Sequence, residues 1–418
     1  MNAAGLGRVL AGAILFGALL VLCGCPPTEN PSAPSAAKTE IIRVRLVAGA
    51  SQVSLAATGR PRLSVGDDPA QRELIFPAGA SVAAWRSGGL WHIGAAPITG
   101  GVLTLTPGDS GVLSVNDVAY RGSLRLVPVG DGSLIDVIND VPIDDYLKGV
   151  LASELYRPWH IQTYFAQAVV ARTYALYQSH TEGLGRYWDM WPDERSQVYG
   201  GIPAETDKSR SAAAETAGLV LTYGPGEGTI FETYFSSDCG GVTQSASDAF
   251  DGPRIPPLQS HAEPGCDAMS PHANWGPIAI SRPELTRRLR LWAVRRSPQR
   301  PETDMAEVAD VQLAAVNPLG RPTRFRITDA AGATYILAAE EMRTAFNTEP
   351  TPGNMLPSSF CKVTVQPDQD QVVFYDGHGL GHGVGMCQWC AEQHATDGWD
   401  YVRILMDAYP QAKLARAY

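Results

Sequence analysis

The stretch Asn139-Asp140-Val141-Pro142-Ile143-Asp144-Asp145-Tyr146-Leu147-Lys148-Gly149-Val150-Leu151-Ala152-Ser153-Glu154 decides how this chain of 418 residues is read. Asp140 is placed to cap a helix that begins near Pro142, where proline's missing N–H costs nothing. Asp144 and Asp145 follow in the first turn and suit the positive end of the helix dipole. Ile143, Leu147, Val150 and Leu151 recur with the three-four rhythm of one buried face. Glu154 falls on that same stripe, seven residues after Leu147 and four after Val150. A carboxylate there is not where a solvated surface residue belongs.

A second helix is expected from about Gln162 to Ser179. Its alanine-rich run Ala166-Gln167-Ala168-Val169-Val170-Ala171-Arg172-Thr173-Tyr174-Ala175-Leu176 lets another backbone come close. Arg172 lies on the face of Phe165, Ala168, Val169 and Leu176 and so points inward. A buried acid and a buried base on consecutive helices, Glu154 and Arg172, are expected to meet, directly or through a ligand.

Upstream, the chain from Glu40 to about Pro128 alternates in short runs such as Ile41-Ile42-Arg43-Val44-Arg45-Leu46-Val47, with turn signals at regular spacing, which reads as strands. A hairpin-like run from Ser123 to Asn139 leads into the first helix. At the N-terminus Arg8 precedes an apolar stretch from Val9 to Leu22, about 14 residues, which suits a signal-peptide core and is short for a membrane span. It ends in Leu22-Cys23-Gly24-Cys25, which resembles a lipobox and predicts lipid on Cys25 after export, with an uncleaved anchor helix as the alternative; both put the rest of the chain on the same side. The Pro/Ser/Ala stretch that follows has nothing to bury and reads as a tether.

Downstream, Gly228 to Ser236 alternates like a strand, and residues Ala279 to Val365 read as a helix, strands and a second helix. A helix is expected after Cys387. The fold class is therefore α+β, mostly β. The divisions are a signal peptide over 1–25, a flexible linker over 26–40, an N-terminal β domain over 41–128 and a main domain over 129–418. Within the last, 279–365 is an inserted α/β subdomain. The net charge of −10 argues against a nucleic-acid partner, because phosphate would be repelled. Several arginines from Arg282 to Arg300 stand at helical spacing and are expected on one solvated face.

Three features carry chemistry. Burial of Glu154 on an apolar face raises its pKa towards what a general acid needs, whereas an ion pair with Arg172 would do the opposite; periodicity leaves both open. The glycine loop Gly377-His378-Gly379-Leu380-Gly381-His382-Gly383-Val384-Gly385 lets backbone approach a ligand closely. On spacing alone it is either a tight turn with one bonded histidine or a metal pair from His378 and His382. Cys239, Cys266, Cys361, Cys387 and Cys390 remain beyond the lipobox, and Cys387-Gln388-Trp389-Cys390 reads as half a zinc site, a redox pair or part of a disulfide framework.

At these residues the chain resembles the stage II sporulation protein D family, also called SpoIID/LytB. The likeness runs in order through Val141 to Val150 with Ser153-Glu154, then Ala166 to Ala175, and then Ser196-Gln197-Val198-Tyr199-Gly200-Gly201. It continues through Gly218 to Leu221 and Cys239-Gly240-Gly241-Val242-Thr243, and closes with Gly379 to Gln388. The resemblance implies a lytic transglycosylase that cuts peptidoglycan glycan strands between N-acetylmuramic acid and N-acetylglucosamine and leaves a 1,6-anhydro end. Glu154 matches the family's catalytic acid, acting first as acid and then as base, with no second carboxylate nucleophile. Gln167, Arg172, Tyr174, Gln197, His382 and Gln388 fall in the matching blocks as substrate-binding residues.

The resemblance implies no cofactor for the chemistry itself. Some relatives bind zinc, and Cys239, Cys266, Cys387 and Cys390 are the residues to hold a structural zinc here, with one or two disulfides as the rival. Partners are glycan strands, the membrane through lipid on Cys25, and a cell-wall amidase. Two other functions stand beside the enzyme: a glycan-binding enhancer of a partner amidase that does not cut, and a Cys/His peptidase or amidase using Cys387 with His378 or His382.

Overall fold

The computed structural model describes residues 39–66, 72–73, 80–94, 96–109, 111–263, 265 and 269–418. The expected signal peptide, Cys25, most of the tether and Cys266 lie outside them. The described chain is α+β and mostly β. Among the described residues no helix is long and apolar enough to cross a membrane.

Alternating strands of the N-terminal third form two six-stranded antiparallel sheets. In the first, Ile41–Ala50 lies at the edge beside Leu134–Pro142, which pairs in turn with Ser123–Val129. In the second, Gln52–Thr58 is flanked by Val112–Val115 and Val82–Ser87. Inward residues of both sheets, among them Val44, Leu55, Trp91, Leu105 and Val137, share one core with the apolar stripe of the first helix. The sheet therefore runs across residue 128 without a break.

The helices α1 (Ile143–Glu154) and α2 (Ile161–His180) follow directly from the edge of that sheet. Ile143, Leu147, Val150 and Leu151 are buried as their spacing predicts. Asp140 is not the cap. The strand extends to Pro142, so Asp140 stays in the ladder and accepts from Nε and Nη2 of Arg125 at 2.6 and 2.8 Å. The Ile143 N–H is instead satisfied by the Glu40 carbonyl at 2.9 Å.

Gly149 shows why the next segment sits where it does. A β-carbon there would come within 2.8 Å of the Tyr199 ring and 3.0 Å of the Gly201 carbonyl oxygen. Only a glycine lets the Ser196–Gly201 segment lie against α1.

The run from Gly228 to Ser236 is not one strand. It forms two short ones, Thr229–Ile230 and Phe235–Ser236, because Thr233 turns its hydroxyl into α2 to bond the Val170 carbonyl at 2.9 Å. Phe235–Ser236 pairs in parallel with Met386–Cys387, joining the middle of the chain to its glycine loop. Residues 278–375 carry their own core of Leu285, Leu289, Trp292, Phe325, Phe346 and Phe374, enclosed by two three-stranded sheets and the helices Arg282–Arg296 and Ala339–Phe346. On the first of these helices Arg287, Arg290, Arg295 and Arg296 face solvent as expected. Arg288 does not: it is buried, bonding Glu284 at 2.8 Å and the Phe346 carbonyl at 2.7 Å.

Candidate functional site

Glu154 is the last residue of α1, half-buried, with its carboxyl against the Ser196–Gly201 segment. The Val198 N–H donates to it at 2.7 Å. That segment is held in place from below: the Tyr146 hydroxyl donates to Gln197 Oε1 at 3.0 Å, and Gln197 Nε2 donates to the Ala171 carbonyl at 3.3 Å.

Glu154 stands at the foot of a cleft of about 420 Å³. Tyr174, Tyr234, Phe235 and Phe250 supply an aromatic side to it, and Glu194, Arg195 and Arg343 bring charge. Ser236, Ser237, His382 and Gln388 complete the polar lining. The glycine loop reaches the cleft through close backbone contact. Gly385 has φ +70°, and a β-carbon on it would overlap the Tyr234 carbonyl oxygen at 2.0 Å.

The electrostatics of the cleft push Glu154 and His382 in opposite directions. Burial pushes the Glu154 carboxyl up to about 7; the Val198 N–H and the nearby Gln388 amide pull it down, and Glu194 adds a further push upward. No cation is bonded to it among the described residues. Gln388 lies beside the same carboxyl, but its amide nitrogen is buried without a partner of good hydrogen-bond geometry. Burial drives His382 down to about 4, so the ring is neutral near pH 7. Its Nδ1 accepts the Val384 N–H at 2.9 Å, which puts the ring proton on Nε2.

The expected meeting of Glu154 and Arg172 does not occur. Arg172 is fully buried, but its guanidinium takes Asp144 at 2.8 and 3.1 Å and the carbonyls of Leu219 and Ala213. Asp144 and Glu154 stand ten residues apart on α1, about 15 Å along its axis, too far for one guanidinium to serve both.

Of the residues expected to bind substrate, the cleft brings together Tyr174, His382 and Gln388 with Glu154. Gln167, Arg172 and Gln197 do not line it; each is fully buried behind it. Glu194, Arg195, Tyr234, Phe250 and Arg343 line the cleft without having been singled out in the sequence. Arg343 lies on the helix Ala339–Phe346, and nothing in its local pattern points to a site some 190 residues upstream.

The glycine-loop histidines do not converge on a metal. The His378 ring packs at a tilt against Phe360, centroids 5.0 Å apart, and its Nε2 lies 3.7 Å from Asp376, while His382 faces the cleft. Cys387 is buried, and its sulfur takes the N–H groups of Cys239 and Cys390 at 3.3 and 3.4 Å. Neither histidine is hydrogen-bonded to it among the described residues, so no Cys–His pair is assembled there. Cys239, Cys387 and Cys390 do come together, their sulfurs all within 4.8 Å of one another.

Comparison with known proteins places this geometry. The sequence model of the stage II sporulation protein matches residues 131–223, which span α1, α2 and the segment that bonds Glu154. An uncharacterized protein of Brachyspira hyodysenteriae is 31% identical over 297 residues, covering 71% of this chain and 72% of that protein. The amidase enhancer of Bacillus subtilis is 25% identical over 312 residues, or 64% of this chain, which spans only 40% of that relative's length. Helix pair, bonding segment and long-range likeness agree: the chain belongs to the SpoIID family of stage II sporulation proteins.

Proposed function

We propose that this protein is a peptidoglycan lytic transglycosylase with Glu154 as its acid and base. Family membership and the amidase-enhancer relative support a role at the cell wall. One observation carries the finer reading: a carboxyl held up to about 7 at the foot of an aromatic-sided cleft, with N–H donors beside it and no ion pair to a cation among the described residues. Such a group is half protonated at neutral pH and can both give and take a proton within one cycle.

In the proposed reaction the protonated Glu154 donates to the glycosidic oxygen as the bond from C1 of N-acetylmuramic acid breaks. The departing N-acetylglucosamine keeps that proton on its 4-hydroxyl. Glu154, now a carboxylate, takes the proton from the muramic acid 6-hydroxyl as its oxygen bonds to C1. The carboxyl ends as it began, and no water is consumed. The Val198 N–H fixes the carboxyl's orientation. The aromatic side chains offer flat apolar faces to pyranose rings. Neutral His382 adds polarity without a charge.

Glu194 is a second carboxyl in the same cleft, and it gives a hydrolytic rival a specific footing. The products decide. Full-length protein in detergent is incubated with glycan strands, with and without stem peptides, and the fragments are read by mass spectrometry. Anhydro-muramyl ends that vanish in Glu154→Gln are the expected result. Reducing ends that vanish in Glu194→Gln would establish the hydrolase. No cleavage, with retained binding and a stimulated amidase, would establish the enhancer.

The same reading keeps the enzyme outside the cytoplasm by lipid on Cys25. A Cys25→Ala chain that still fractionated with membranes would overturn that part.

A further inference from the structure

The aromatic side of the cleft is tied together from behind by a carboxyl that the proposed chemistry does not use. Glu232 lies in the link between the short strands Thr229–Ile230 and Phe235–Ser236 and is half-buried. Its two oxygens accept from two different parts of the chain. Gln178 Nε2, on α2, donates to Oε1 at 2.7 Å, and the Tyr234 hydroxyl donates to Oε2 at 2.5 Å. Gln178 stands four residues after Tyr174 on the same face of α2, with its amide beside the Tyr174 hydroxyl. One carboxyl thus links the two tyrosines that line the cleft.

The residue type is informative. Glu232 forms no ion pair with a cation among the described residues, and burial and the nearby Glu182 both raise its carboxyl. An acid in that position costs stability. Glutamine would fill the same space without charge, but its amide offers one acceptor and one donor. Both groups that reach Glu232 are donors, and of side chains this long only a carboxylate accepts from both. It therefore sets which way the Gln178 amide faces and commits the Tyr234 proton to one direction.

Tyr234 is the hub of this wall. Its ring centroid lies 4.8 Å from Phe250 and 5.8 Å from His382, and it meets Tyr174 edge-on at 6.4 Å. Its carbonyl accepts from the Tyr409 hydroxyl at 2.6 Å and the Met386 N–H at 3.2 Å, so its backbone is held without Glu232. What Glu232 adds is the setting of the ring.

We infer that Glu232 is a positioning residue that holds Tyr234 directly, and Tyr174 through Gln178, at the angle at which their rings receive a pyranose. Glu232 does not itself line the cleft, so its effect falls on binding and not on proton transfer. The inference rests on the reading of the cleft as a glycan site.

The test has two arms, both on full-length protein in detergent. Cleavage of glycan strands is followed over a range of strand concentrations, and binding of the same strands to the Glu154→Gln chain is measured by calorimetry. Glu232→Ala should raise KM about tenfold and leave kcat within about twofold. Glu232→Gln, which keeps one acceptor, should fall between Glu232→Ala and the parent chain. Tyr234→Phe keeps the ring and loses the tether; it should raise KM likewise, and Glu232→Ala added to it should cost little more. Where Glu232→Ala fails to fold, Tyr234→Phe decides. In the calorimetric arm Glu232→Ala should weaken binding by the same factor.

Unchanged KM and binding in a folded Glu232→Ala chain, even with a lowered unfolding midpoint, overturns the inference. So does a fall in kcat with KM unaltered. Binding weakened by Glu232→Ala where no chain cleaves would sustain the positioning role while sinking the transglycosylase reading. A parent chain that takes no glycan overturns both.

Discussion

The two ends of α1 carry acids in opposite circumstances. At its start Asp144 holds the buried Arg172 guanidinium at 2.8 Å, and Asp145 pairs with Lys148 at 2.6 Å. At its end Glu154 meets a backbone N–H and a neighbouring amide and, among the described residues, pairs with no cation. One helix thus spends its first acids on structure and leaves its last one uncompensated. Desolvation without a counter-charge is what raises a carboxyl pKa, so the lone acid, not the paired ones, is fit to carry a proton.

Breaking the chemical end should have the largest effect. Glu154→Gln keeps the shape of the side chain and removes the proton, and glycan cleavage should fall by about a thousandfold in a product assay. Breaking the structural end should show in stability. Asp144→Asn leaves Arg172 buried without its carboxylate, and denaturant unfolding should register a loss of about 2–3 kcal/mol. Cleavage per folded molecule should change little. Asp145→Ala, which removes a partly exposed pair, should cost under about 0.5 kcal/mol and leave cleavage unaltered. An Asp144 variant as inactive as Glu154→Gln while fully folded would erase the contrast.

Much of this arrangement was legible in the chain. The three-four rhythm of Ile143, Leu147, Val150 and Leu151 is a local signal, and it placed α1 and its buried face; Glu154 on the same stripe is half-buried at the cleft. The alanine run did the same for α2, and the order helix, strands, second helix was legible over Arg282–Phe346. What failed depends on contacts far apart in sequence. Asp140 has the chemistry of a cap, but the strand pairing with Arg43 and Ser123 claims it first. Arg172 was rightly read as buried, yet periodicity does not say which acid lies across from it. Glu194, Phe250 and Arg343 reach the cleft from three separate segments, which no local pattern connects. The cysteine cluster falls between these cases: the spacing of Cys387 and Cys390 was visible, while the approach of Cys239, 148 residues away, is a product of the parallel Phe235–Ser236 and Met386–Cys387 pairing.

The claim that Glu154 is the working proton carrier is tested most directly by the pH dependence of anhydro-end formation. Catalysis begins with the protonated carboxyl, so activity should hold from about pH 5 towards neutrality and fall as pH rises through about 7, the value to which burial raises this group. The limb should be absent from whatever residual activity Glu154→Gln retains. A decline centred near 4.5, the ordinary carboxyl value, or the same profile in Glu154→Gln, would contradict the account.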